Sequence, residues 1–225
     1  MAGNVLTQGV SLYNQKSYTN ALTFFLSLPA DCGADKNEIA YYLGLCYTKL
    51  ERYDDALLYL EQVVTSGTHL ERTLQCRFLL AVIYALSGRR RLADFELNKL
   101  LETGYMMPSV YAAIAFVAWE QHDTEKCLSY YEKSLEENPS NLTSLNGLGY
   151  VLACEDKDLT RALSLCKQAV NNAPDSAACL DSLGWVYYKL GLYDDSRKYL
   201  EQAELLDREN EIILEHIKIL NKAGR

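Results

Sequence analysis

The chain has 225 residues, 49% hydrophobic and 23% charged, with a formal net charge of −8. That much apolar side chain excludes wholesale disorder, and the acidic balance excludes nucleic acid as the main partner, because phosphate binding needs a positive face. No apolar run reaches the ~20 residues of a membrane span and the N-terminus lacks a signal-peptide pattern, so the expected location is the cytoplasm, or the periplasm if a signal has been removed.

Taken in chain order, apolar periodicity predicts thirteen helices and no strands. They fall over residues 5–14, 18–28, 37–50, 53–65, 70–86, 91–102, 108–121, 124–136, 142–153, 159–171, 176–189, 193–205 and 210–222. Asp54, Asp123, Asp194 and Ser17 stand near the starts of second helices, where acidic and hydroxyl groups satisfy free N–H donors. Arg89, Arg90 and Arg91 form the one basic run, with Arg72 and Arg77 nearby; it reads as a solvated turn between helices rather than an anion site. The last helix reads as a cap, with Leu214 and Ile217 packing inward and Lys218 and Lys222 on a wet outer side.

The same stretch of sequence recurs. LGLCYTKLERYDDALLYLEQ (residues 43–62) matches LGWVYYKLGLYDDSRKYLEQ (residues 183–202) in its Leu-Gly, Lys-Leu, Tyr-Asp-Asp and Tyr-Leu-Glu-Gln at identical spacing. A small residue returns as Gly9, Gly44, Ala81, Ala115, Gly149 and Gly184, at intervals of 35, 37, 34, 34 and 35. Twelve residues later comes a second small one, Ala21, Ala56, Ala93, Cys127 or Ser196; in the fifth unit Ala162 comes one residue later still, because the turn from Glu155 to Asp158 is longer. Four residues on stands Phe25, Leu60, Leu97, Tyr131, Cys166 or Leu200. Such slots mark where two antiparallel helices come closest, and one hairpin cannot bury its faces alone. Gly149→Leu or Ala162→Leu is therefore expected to cost roughly 1–3 kcal/mol or more.

This pattern of small and large residues over about 34 positions resembles the tetratricopeptide repeat family. The resemblance implies an all-α superhelical solenoid of six helix hairpins plus a C-terminal capping helix. It implies a single array over residues 1–225, with units near 2–36, 37–73, 74–107, 108–141, 142–176 and 177–210 and the cap at 211–223. The segment Gly104 to Pro108 is read as a linker between units, not as a domain boundary.

The resemblance also implies that the first helix of each unit lines the concave surface. One face of those helices gives Leu6, Val10 and Tyr13; then Tyr41, Leu45 and Thr48; then Phe78, Val82 and Ala85. It goes on through Ala112, Phe116 and Trp119; Asn146, Tyr150 and Ala153; and Asp181, Trp185 and Tyr188. From this face the expected partner-binding groove is Tyr41, Leu45, Phe78, Val82, Phe116, Trp119, Tyr150, Trp185 and Tyr188. Two arrangements are open: the rings form an inner core, or they stay partly exposed and take an apolar or amphipathic segment. A clamp for an acidic C-terminal tail does not fit, because Val10, Leu45, Val82, Phe116, Tyr150 and Trp185 offer a carboxylate no positive charge.

The seven cysteines, Cys32, Cys46, Cys76, Cys127, Cys154, Cys166 and Cys179, are odd in number and contain no CxxC pair. They read as small apolar residues in a reducing compartment, not as disulfides or zinc ligands. No phosphate loop, nucleophile elbow or HExxH occurs, and His69, His122 and His216 belong to no convergent set. The expectation is a non-catalytic scaffold with no cofactor and no metal, binding a peptide or helical segment of another protein without inserting into a membrane. The alternative is an assembly factor or carrier for hydrophobic ligands or membrane-protein segments.

Overall fold

The computed structural model describes residues 5–29, 31–105 and 107–223. Residues 1–4, 30, 106, 224 and 225 lie outside the described residues, and with them the very start of the first expected unit and Met106 of the expected linker. The chain divides into two compact units, one within residues 1–106 and the other within 107–225. The first holds α1 (Thr7–Asn14), α2 (Tyr18–Ser27), α3 (Lys36–Lys49), α4 (Tyr53–Ser66), α5 (Leu70–Leu86) and α6 (Arg90–Glu102). The second holds α7 (Pro108–Glu120), α8 (Thr124–Glu137), α9 (Leu142–Cys154), α10 (Leu159–Asn172), α11 (Ala177–Lys189), α12 (Tyr193–Leu206) and α13 (Glu211–Ala223). Each helix bound lies within two residues of its expected place, and the described residues contain no strand.

Consecutive helices pair as hairpins, α1 with α2 through α11 with α12, and within each unit neighbouring hairpins stack. Every small-residue slot is buried: Ala81, Ala115, Ala21, Ala56, Ala93, Cys127, Ala162 and Ser196 are at most 1% exposed. The glycines show why size matters there. A Cβ at Gly44 would stand 2.7 Å from Leu60 Cδ2, one at Gly184 2.7 Å from Leu200 Cγ, and one at Gly149 2.5 Å from Cys166 Sγ and 3.1 Å from the Ala162 carbonyl oxygen. The large residue on the second helix fills the space that the glycine leaves.

The turn inside each hairpin is also a repeat. Seven residues after the small slot the backbone is left-handed at Lys16, Glu51, Gly88, His122, Asp156 and Gly191. The next N–H donates back to a carbonyl five residues earlier: Ser17 to Leu12, Arg52 to Tyr47, Arg89 to Tyr84, Asp123 to Ala118, Lys157 to Leu152 and Leu192 to Tyr187, at 2.8–3.0 Å. This is the Schellman ending, which satisfies carbonyls that the helix itself leaves open. Among the expected caps, Asp123 accepts from the Lys126 amide at 3.1 Å. Asp54 and Asp194 instead sit inside the first turn, where they complement the helix dipole, and the Ser17 hydroxyl accepts from Asn20.

Three of the arginines in this stretch are paired with acids on neighbouring helices. Arg72 meets Glu38 at 2.7 Å, Arg77 meets Glu96 at 2.5 Å, and Arg89 lies 3.8 Å from Asp54. The capping helix needs a correction. Ile213, His216 and Leu220 are the buried residues of α13 and Ile217 packs beside them, whereas Leu214 is 42% exposed. The outer face is therefore not wholly polar.

Candidate functional site: an aromatic cleft on the inner helices

In the first unit, Tyr41 and Phe78 are half-buried, as is Val82, while Leu45 is 5% exposed and acts as packing. The Tyr41 hydroxyl donates to Gln75 Oε1 at 2.6 Å, and the Arg72 guanidinium lies 5.4 Å from its ring centroid. Burial pushes that hydroxyl up to about 12, so it remains a donor. Tyr41 is thus engaged within the first unit.

The second unit holds a recess. Its inner helices α7, α9 and α11, together with α13, enclose a cleft of about 440 Å³. Phe116 and Trp119 come from α7, Asn146 and Tyr150 from α9, Asp181 from α11 and Ile212 from α13. The Trp119 and Tyr150 rings meet edge to face at 6.4 Å. Both are half-buried, as are Phe116, Trp185 and Tyr188, so the rings are neither pure core nor free surface.

The base of this wall holds a group that the sequence reading did not single out. His216 Nδ1 lies 2.8 Å from Asp181 Oδ1, and both side chains are only 7% exposed. A carboxylate only accepts, so Nδ1 carries the proton. The imidazole stacks on Trp185 with centroids 4.1 Å apart, and Trp185 stacks on Tyr188 at 4.9 Å. Trp185, expected in the groove, is thus largely a platform for α13. The signal was present: Asn146, Asp181 and His216 follow one another at intervals of 35, so α13 occupies the inner-helix position of a further unit.

Burial, then the neighbouring Cys154 thiol, Asp181 and Glu215, hold the Tyr150 hydroxyl well above its ordinary range. It therefore stays neutral and able to donate. Asn146 Oδ1 is buried with no hydrogen-bond partner among the described residues, whereas the Trp185 indole N–H faces the Cys154 thiol.

Stacked antiparallel helix pairs with glycine or alanine at each closest approach define a helical-hairpin repeat protein. Tetratricopeptide repeat models match residues 38–66, 108–141 and 140–209, together more than half of the chain. The chain belongs to the tetratricopeptide repeat family. A TPR repeat-containing protein of Pseudomonas aeruginosa is 39% identical over 80 residues, which is 34% of this chain and 14% of the relative. One of Methanocaldococcus jannaschii is 23% identical across 98% of this chain and 40% of its own length. The chain thus spans well under half of these curated relatives. A tetratricopeptide repeat protein from Parabacteroides merdae shares the fold with a TM-score of 0.71 at 14% identity, over 96% of this chain and 82% of that one. YrrB, described as a TPR protein with an unusual peptide-binding site, gives 0.53 at 15% identity over 90% of this chain and 98% of its own. Repeats of this family serve in general as protein-interaction scaffolds. No described helix is long and apolar enough to cross a membrane.

Proposed function

We propose that this chain is a non-catalytic adaptor that binds a segment of another protein in the cleft of its second unit. The observation that carries the reading is the half-buried aromatic lining of Phe116, Trp119 and Tyr150 in that cleft. Apolar side chains of the segment would lie on the rings. Aromatic anchors in such settings carry about 2 kcal/mol or more each on truncation. The peptide-binding site described for YrrB is consistent with this use of the fold. The lining carries Glu120 and Asp181 but no lysine or arginine, which weighs against an acidic tail as ligand.

The test is selection of a displayed random-peptide library on the protein, followed by calorimetry of the enriched peptides. Phe116→Ala with Trp119→Ala is expected to weaken those peptides by at least tenfold with helical content unchanged. Trp185 is left intact, because its removal would disturb α13. Equal affinity for parent and variant would move the binding surface elsewhere. A lipid or other small molecule retained in native mass spectra, and lost in the same variant, would support the carrier reading instead.

A further inference from the structure

α13 turns Ile213, His216 and Leu220 toward the core and a different set outward. Glu211, Leu214, Glu215, Lys218, Ile219 and Lys222 recur at helical spacing on the opposite face and together line a furrow of about 440 Å³. All but the half-buried Ile219 are exposed. Inside one chain this order sets like charges four residues apart twice, Glu211 with Glu215 and Lys218 with Lys222, an arrangement that weakens a helix. It also leaves Leu214 and Ile219 at the surface between the charges.

The order is symmetric on reversal. About the midpoint between His216 and Ile217, Glu211 mirrors Lys222, Glu215 mirrors Lys218, and Leu214 mirrors Ile219. We propose that this face is the site of self-association, pairing with the same face of a second copy across a two-fold axis, the two helices antiparallel. In that register Glu211 meets the partner's Lys222 and Glu215 meets the partner's Lys218 along the seam, while Leu214 flanks one side of it and Ile219 the other, each beside its own counterpart in the partner. An isologous interface requires this reciprocity, in which residue i meets j and j meets i. A parallel pairing would set glutamate on glutamate and is disfavoured. The helix dipole also favours acid first and base last, but it places no demand on Leu214 and Ile219 and gives no reason for mirrored spacing. The cleft described above uses the other side of α13, so the two readings stand or fall separately.

The experiment is a set of charge swaps in the full chain, followed by sedimentation velocity at rising concentration. The parent is expected to reach twice the monomer mass. Glu211→Lys with Glu215→Lys makes the face wholly positive, and Lys218→Glu with Lys222→Glu makes it wholly negative. Each double variant alone is expected to be monomeric, and an equimolar mixture is expected to restore a heterodimer. Far-ultraviolet dichroism checks that α13 remains helical in both. A monomeric parent at the highest concentration, or double variants that still dimerise alone, would overturn the proposal. So would a mixture that fails to associate while the parent does.

Discussion

At the scale of single residues, five of the seven cysteines, Cys46, Cys76, Cys127, Cys166 and Cys179, are buried, and this has a consequence for alkaline stability. Burial pushes the thiol of Cys46 up to about 11 and those of Cys76 and Cys127 up to about 12, from an ordinary 9.0. Between pH 9 and those values the unfolded chain loses thiol protons that the folded chain keeps. The unfolded state then binds fewer protons, so stability falls as pH rises. Chemical denaturation is expected to give a midpoint that declines steadily from pH 8.5 to 11, and Cys76→Ala is expected to flatten that decline. A flat profile in the parent would contradict it. His216 teaches the opposite lesson about legibility. Alone in the sequence it looks like a cap residue, and only its interval of 35 from Asp181 betrays the buried contact. Apolar periodicity is blind to it, since a charged partner buried beside it breaks the rule that polar side chains face outward.

At the scale of the helix and the hairpin, nearly everything was legible, because slot spacing and apolar period report the same geometry. What the sequence hid was the turn. Six left-handed positions close the six hairpins, yet only Gly88 and Gly191 are glycines; Lys16, Glu51, His122 and Asp156 take the same conformation with a Cβ. The hydrogen-bonded ending dictates the backbone there, overriding residue preference. Two substitutions separate the two devices. Gly88→Ala keeps open space around the new methyl group but places it at φ +71°, and should cost about 1 kcal/mol. Gly149→Ala needs no unusual backbone angle but drives a Cβ against Cys166 Sγ and the Ala162 carbonyl, and should cost about 1–3 kcal/mol. Urea denaturation of both against the parent is the check. Equal stability of the Gly149 variant and the parent would mean that the hairpin opens without strain.

At the scale of the whole molecule, the expected groove was a stripe drawn along the inner helices α3, α5, α7, α9 and α11, from Tyr41 to Tyr188. A helical stripe tells which side chains share a face; it does not tell which gaps between helices stay open. That depends on side-chain volume and on what the last helix covers. The cleft that results is lined by residues of the second unit alone, from Phe116 to Ile213. That unit also has a core of its own, in which Ala115, Leu148, Gly149, Cys166, Leu183 and Val186 are packed away from solvent. At about 120 residues it has the size of an ordinary independent domain. Residues 107–225 produced alone are therefore expected to be helical, to unfold cooperatively, and to bind any peptide selected on the full chain within about threefold of the full-chain affinity. Circular dichroism melts and calorimetry on the fragment are the measurements. A fragment that melts like the full chain yet loses the peptide more than tenfold would show that Tyr41, Phe78 and Val82 belong to the binding surface.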